Sequence, residues 1–188
     1  MRKTIPELIT PNLIITVLKP EKFSHLACYE RNNRVHLAKW EPKRDETYFA
    51  DNEVELRVKL NYEQFISGKS VPLVGFDKSR SKIIGVCYFT NIVHGVFQAC
   101  HLGYSINEQD QGKGLMFEML EPCTAFIFEQ VGLHRIMANY IPSNVRSEKL
   151  LTKLGFEREG LAKSYLKIAG SWQDHVLTSK INPNHDCD

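Results

Sequence analysis

The most informative stretch of this 188-residue chain is Leu102-Gly103-Tyr104-Ser105-Ile106, which is followed by Gln109-Asp110-Gln111-Gly112-Lys113-Gly114. An apolar strand here leads into a glycine-containing loop, and apolar residues at helical spacing begin directly afterwards at Leu115. Glycines let backbone amides approach a bound anion, and the N-terminus of a helix adds roughly half a positive charge. The pattern predicts a phosphate-binding loop to which Lys113 adds a charge; a simple tight turn into the helix is the alternative.

Two common nucleotide-binding motifs do not fit the chain. The dinucleotide-binding pattern fails because Phe117 stands where its last glycine belongs. Gly68-Lys69-Ser70 is similar to the end of a nucleoside triphosphate-binding loop, but Glu63 occupies the position of the required earlier glycine. The loop therefore indicates a phosphate-containing ligand without indicating either of these two classes.

Hydrophobic spacing on both sides of the loop predicts an α/β or α+β fold around one mixed sheet. Before the loop we expect a strand at 13–18, helices at 20–33 and about 52–68, and strands at 71–76, 82–90 and 97–106. After the loop we expect a helix from 115 to about 131, a strand at 134–140, a helix at 145–154 and a hairpin of 165–168 with 173–179. Pro122 should interrupt the first of these helices, because proline removes a backbone donor and crowds the preceding turn.

Composition and charge narrow the class of protein. The length fits one domain over residues 1–188, with about 182–188 as a flexible tail. A net charge of +2 is too weak for a nucleic-acid-binding surface, and no apolar run approaches the ~20 residues of a membrane span. Five scattered cysteines without a Cys-x-x-Cys pair fit reduced thiols rather than disulfides or a metal site. We therefore expect a cytoplasmic protein without a metal, a membrane partner or a nucleic-acid-binding motif.

Further motifs after the loop resemble the GCN5-related N-acetyltransferases (GNAT). These motifs are Gln109-x-x-Gly112-x-Gly114, a strand at 135–140, Asn144-x-x-Ser147 and Leu154-Gly155-Phe156-Glu157. Trp40-Glu41-Pro42, His134-Arg135-Ile136-Met137-Ala138-Asn139-Tyr140 and Trp172-x-Asp174-His175-Val176 extend the resemblance to the RimJ-type ribosomal-protein-alanine N-acetyltransferases. The resemblance spans nearly the whole chain, and it implies a GNAT-type, mostly antiparallel sheet flanked by helices.

The resemblance also implies two substrates and their sites. Acetyl-CoA is the implied donor, and the implied acceptor is the N-terminal alanine of a small-subunit ribosomal protein, whose α-amine attacks directly in a ternary complex. The ribosome or its assembly intermediates are a further implied partner. The pantetheine arm should follow the strand before the loop, and the loop amides should hold the pyrophosphate. The implied donor-binding residues are Leu102, Gly103, Tyr104, Ser105, Ile106, Gln111, Gly112, Lys113, Gly114, Leu115, Asn144 and Ser147.

Two hydroxyls are candidates for protonating or stabilising the departing thiolate. The resemblance implies that Ser147 faces the acetyl-CoA sulfur, and Tyr165 fills this role in other branches of the superfamily. Each residue also has a structural interpretation. Asn144 could simply cap the helix that follows it, Ser147 could be a polar first-turn residue, and Tyr165 could belong to the core of a strand.

The sequence does not identify the residue that acts as general base. An α-amine with a pKa near 7.7–8.0 is roughly one-tenth neutral at pH 7, so that a modest base or a water path suffices. Relatives often carry a carboxylate just before the tyrosine, whereas this chain has Ser164. The remaining candidates are Glu159, Asp174, His175 and bulk water.

Two other functions compete with acetylation of a ribosomal protein. The first is acetylation of a small amine such as a polyamine or an aminoglycoside, which convergent carboxylates would favour. The candidate carboxylates are Asp45, Glu46, Glu53 and Glu55, although a basic protein tail would also suit them. The second is a non-catalytic ribosome-associated module, against which the intact glycine loop, Asn144 and Ser147 argue.

Overall fold

A computed structural model describes residues 4–184 of the chain, and within that range it forms eight strands and four α-helices. The strands are β1 (Glu7–Ile9), β2 (Leu13–Val17), β3 (Val71–Asp77), β4 (Ile83–Val93), β5 (Ala99–Ile106), β6 (Arg135–Met137), β7 (Glu157–Ile168) and β8 (Ser171–Ile181). The helices are α1 (Phe23–Leu37), α2 (Asp51–Ile66), α3 (Leu115–Phe126) and α4 (Val145–Lys153).

All eight strands form one sheet in the order β1-β2-β3-β4-β5-β6-β8-β7. Neighbouring strands are antiparallel except β5 and β6, which run parallel. The predicted fold class, a mixed and mostly antiparallel sheet with helices, is confirmed.

The two parallel strands separate soon after they meet. β5 pairs with β6 only from Ala99 to His101, opposite Arg135 to Met137. The residues after β6 continue to pair with β8 but no longer with β5. The Ala138 N–H donates to the Thr178 carbonyl, and Tyr140 forms an isolated bridge with Val176. The edge of β5 over 102–106 therefore has no strand partner on this side, and a cleft opens there.

Helices cover both faces of the sheet. One core cluster packs α3 and α4 against it, with Met119 and Leu151 contributed by the helices and Cys87 and Leu102 by the strands. The other cluster packs α1 and α2 against the opposite face. Strand β5 therefore presents alternate side chains to two separate helical layers.

Several helices and strands begin or end at residues other than those predicted. Helix α1 continues to Leu37, four residues past the expected end, and β7 begins at Glu157 rather than at Tyr165. The short edge strand β1 is an addition that the sequence pattern did not indicate. Asn182, the first residue of the expected tail, is fixed by a 2.8 Å hydrogen bond from its N–H to the His134 carbonyl. Residues 185–188 of that tail lie outside the described residues.

The expected interruption at Pro122 is wrong. Helix α3 continues through Pro122 to Phe126, and only then does its hydrogen bonding change to a π-helical turn over Ile127–Val131. Met119 and Cys123 on the same helix are fully buried in the core. Helical stability in proteins comes mostly from such packing, so the buried face keeps the helix intact despite the missing proline donor.

Candidate active site

The glycine loop lies between a short 3₁₀ turn at Glu108–Asp110 and the first residue of α3. Gly112 and Gly114 have φ values of +73° and +78°, the left-handed region that favours glycine. A Cβ atom at either position would meet no atom within 4 Å. The loop therefore exposes backbone at the N-terminus of a helix next to open space, which is the geometry of an anion site.

A buried carboxylate holds this loop to the sheet. Asp110 accepts hydrogen bonds from Lys113 (2.8 Å), Asn107 (2.8 Å) and Lys82 (3.2 Å), and Lys82 comes directly before β4. Burial alone raises the pKa of Asp110, but these donors together hold the pKa below its ordinary value. Lys113 therefore anchors the loop in addition to placing a positive charge beside it.

The loop is also connected to the helices on both sides. The Gln111 side chain lies 2.7 Å from His36 Nε2 on α1, and its amide oxygen accepts a hydrogen bond from Arg146 on α4. Burial lowers the pKa of His36, which favours the neutral ring, and Nε2 of that ring can accept a hydrogen bond from the Gln111 amide N–H. Gln111 thus links α1 to α4 at the start of the loop.

Two adjacent residues of β5, Tyr104 and Ser105, each pair their hydroxyl with a hydroxyl on a helix. Tyr104 faces α4, where its hydroxyl lies 2.5 Å from Ser147 Oγ. Ser105 faces the other layer, where its Oγ lies 2.9 Å from the Tyr29 hydroxyl on α1. Both pairs lie on the stretch of β5 whose edge is open.

Asn144 and Ser147 have separate structural tasks at the start of α4. The Asn144 side chain caps the helix by accepting a hydrogen bond from the Ser147 N–H at 3.2 Å. The Ser147 hydroxyl takes no part in this cap and instead bonds Tyr104. Burial raises the pKa of Tyr104 to about 12, so this phenol stays protonated at neutral pH. The arrangement places a polarisable hydroxyl pair beside the cleft.

Tyr165 lies elsewhere, on β7 of the terminal hairpin. Its side chain is 38% exposed and packs against the His175 ring at 5.6 Å between centroids. Among the described residues its hydroxyl has no hydrogen-bond partner, whereas the Ser147 hydroxyl is joined to β5. The structure therefore brings together the glycine loop, the β5 edge, Asn144 and Ser147, and leaves Tyr165 on a separate hairpin.

Each of the three side chains proposed from the sequence as a general base makes hydrogen bonds within the protein. Glu159 accepts hydrogen bonds from Arg135 (2.5 Å) and Ser179 (2.8 Å), which lower its pKa. Asp174 accepts the Ser164 N–H at 2.8 Å. His175 is buried, with its Nδ1 3.0 Å from the Gln173 carbonyl.

Sequence reasoning missed the contribution of Tyr29, His36 and Arg146, and it treated Tyr104 only as backbone. The alternation of side chains along a strand was an available signal, because it places Tyr104 and Ser105 on opposite faces of β5. No sequence spacing connects Tyr29 or His36 to residues about 75 positions later.

Residues 4–184 contain neither a metal-binding group of side chains nor a membrane-spanning helix. No group of three or more His, Cys, Asp or Glu side chains there could hold a metal ion. No helix in the same range is both long and apolar enough to cross a membrane.

The fold and the open cleft agree with a match to a family of known proteins. Residues 12–157 match the family described as the acetyltransferase (GNAT) domain, so the chain belongs to this family and is an acetyltransferase. The family resemblance inferred from the loop and helix motifs is confirmed.

Individual relatives are similar over nearly the full chain. The ribosomal protein uS5-alanine N-acetyltransferase of Escherichia coli (strain K12) is 43% identical over 185 residues, covering 97% of this chain and 95% of that protein. The crystal structure of ribosomal-protein-S5-alanine acetyltransferase from Vibrio fischeri has a TM-score of 0.92 and 39% identity, with 96% of this chain and 99% of that chain covered. Mycobacterium smegmatis RimJ, solved in complex with CoA-disulfide, has a TM-score of 0.87 and 25% identity, with coverage of 96% and 88%.

Proposed function

We propose that this acetyltransferase transfers the acetyl group of acetyl-CoA to the α-amine of the N-terminal alanine of ribosomal protein uS5. The observation that carries the proposal is the 43% identity over 97% of the chain to a relative named for this reaction. Because ribosomal proteins are made and assembled in the cytoplasm, the same proposal puts the enzyme in that compartment.

The geometry of the donor side supports acetyl-CoA as the co-substrate. The backbone at Gly112 and Gly114 borders open space at the start of α3, where its amides suit the pyrophosphate. The unpaired edge of β5 over 102–106 suits the amide groups of a pantetheine arm, which can pair with an open strand edge. A relative with the same fold was solved in complex with CoA-disulfide, which supports a CoA-type donor.

In the proposed reaction, the neutral α-amine attacks the thioester carbonyl carbon. A C–N bond forms, the C–S bond breaks, and the thiolate of CoA leaves. Ser147, hydrogen-bonded to Tyr104, donates a hydrogen bond or proton to that thiolate. As the amide forms, the amine nitrogen gives up one proton, and this proton replaces the one that the thiolate gains. A neutral amine and acetyl-CoA therefore yield the amide and the CoA thiol with no net release of protons.

Steady-state kinetics with two acceptors tests the proposal. We expect a higher kcat/KM with a peptide that has the first residues of uS5 and starts with alanine than with spermidine. The matched control is the same peptide with an acetylated N-terminus, which should not react. A higher kcat/KM for spermidine would instead support acetylation of a small amine, and a lack of CoA binding would support the non-catalytic module.

A further inference from the structure

Glu41, in the segment between α1 and α2, has a fixed main chain and an unengaged carboxylate. Its carbonyl accepts a 2.9 Å hydrogen bond from the Ala169 N–H in the turn between β7 and β8. Its carboxylate has no hydrogen bond or ion pair within residues 4–184, although its side chain is only partly exposed. A half-buried carboxylate with free lone pairs is thus held where two separate segments meet.

Glu41 belongs to the side of the sheet on which α1 and α2 pack. The Tyr29 hydroxyl contacts Ser105 on the open stretch of β5. Burial raises the pKa of Tyr29 most, and the nearby negative charges of Glu41 and Glu30 raise it further. The segment that carries Glu41 joins α1 to α2, and both helices pack on the face of the sheet where Tyr29 meets Ser105.

Three other carboxylates on the elements around Glu41 already have partners. Glu30 is paired with Arg57 at 2.5 Å, and Glu46 is paired with Arg34. Asp45 accepts hydrogen bonds from the Thr47 hydroxyl and the Tyr48 N–H. Glu41 therefore differs from these neighbours in having acceptor capacity left for a ligand.

We propose that Glu41 binds the α-ammonium group of the acceptor and takes its proton before the amine attacks acetyl-CoA. This inference rests on the proposed function. In the step, the R–NH₃⁺ group and the Glu41 carboxylate become R–NH₂ and a protonated carboxyl. The freed nitrogen lone pair then forms the C–N bond, and the protonated Glu41 later returns its proton to solvent.

The surroundings of Glu41 favour this role. Burial raises the pKa of Glu41, whereas the Arg44 guanidinium in the same segment lowers it. Tyr29 and Glu30 face this region from α1, Tyr48 from the short turn before α2, and Arg57 from α2. A raised carboxyl pKa is closer to that of an α-amine, which makes proton transfer between the two more favourable.

The test is the pH profile of kcat/KM for the full-length enzyme with saturating acetyl-CoA and the alanine-starting peptide. Glu41→Gln should lower kcat/KM by about 10²-fold at pH 7, within the range of general-base catalysis. The loss should shrink to less than roughly tenfold at pH 9, because an amine of pKa 7.7–8.0 is then already neutral. Glu41→Asp should keep the shape of the wild-type profile, and the affinity for CoA should not change in either variant.

Glu21→Gln is the control for the loss of one carboxylate, because Glu21 is exposed in the short turn before α1 and has no role at either proposed substrate site. It should follow the wild-type profile at every pH. The inference is overturned if Glu41→Gln follows that profile too, if its loss is the same at pH 7 and pH 9, or if it no longer unfolds cooperatively. A wild-type enzyme that acetylates spermidine but not the peptide would contradict the proposed function alone, and the Glu41 profiles are then measured with spermidine.

Discussion

At the residue scale, the Ser147 hydroxyl is not used to cap α4, and it is the proposed donor to the leaving thiolate. Asn144 caps α4 through its own side chain and uses only the backbone N–H of Ser147. The Ser147 hydroxyl is therefore free to pair with Tyr104, beside the open edge of β5. A residue that looked like a simple first-turn serine thus has a hydroxyl that the helix does not need.

Ser147→Ala should lower kcat by about 10²-fold, because the thiolate loses a hydrogen-bond or proton donor. The dissociation constant for CoA should not change, since backbone groups make the expected pyrophosphate and pantetheine contacts. The free energy of unfolding should fall by about 1 kcal/mol, the usual contribution of one hydrogen bond. Turnover, CoA titration calorimetry and thermal melting on one preparation check these three values.

Ser143→Ala is the control for that substitution, because Ser143 is an exposed serine in the loop before α4. It should leave turnover and melting temperature unchanged. Near-normal turnover in Ser147→Ala would contradict the assignment, and Tyr165→Phe would then test the other candidate hydroxyl.

At the scale of elements, the glycine loop and α3 act as one unit. Gly114 is the N-cap residue of α3, so the first N–H groups of the helix point towards the space above the loop. Asp110 holds the loop from below, and the buried face of α3 holds the helix through Pro122. The direction of the helix N-terminus is therefore set by packing on both sides of the loop.

Gly114→Ala should weaken CoA binding by roughly tenfold, because a Cβ atom would occupy the space where the pyrophosphate approaches the amides. Gly132→Ala is a matched control, since Gly132 also has a left-handed φ of +74° and no atom within 4 Å of its Cβ position. Both variants should lose about 1 kcal/mol of stability from backbone strain. Equal CoA affinities in the two variants, measured by calorimetry, would remove the loop from the donor site.

At the scale of the whole molecule, the cleft exists because β5 and β6 belong to different parts of the sheet. β5 continues the antiparallel strands β1–β4, whereas the segment after β6 follows β8. The two groups of strands share only three residue pairs. An open strand edge inside a sheet leaves backbone groups free to bind a ligand.

CoA should slow amide hydrogen exchange in two places, over residues 102–106 and over residues 111–115. The physical reason is that bound pantetheine and pyrophosphate would accept hydrogen bonds from those backbone amides of the two segments that have no partner within the protein. Strand β2 is the internal control, because β1 and β3 pair with both of its edges and its exchange should not change. Exchange measured by mass spectrometry with and without CoA checks this; protection confined to other segments would contradict the proposed donor site.

Much of the fold and of the donor site follows from local patterns in the sequence. Alternating apolar residues and turn residues predict the β3–β4 hairpin, and Gly155, with a φ of +82°, ends the helix of Val145–Lys153 as expected. The glycine loop is predictable because a left-handed backbone and a helix N-terminus both depend on a few adjacent residues. Asn144 is predictable as a cap for the same reason.

Other features depend on contacts between residues that are distant in the sequence. The pairing of Tyr104 with Ser147, of Tyr29 with Ser105, and of Glu41 with the Ala169 turn each joins segments that only the folded sheet brings together. The continuous helix through Pro122 has the same origin, because burial of its apolar face outweighs one missing backbone hydrogen bond. Local propensities act over a few residues, whereas burial and the separation of β5 from β6 are properties of the whole sheet.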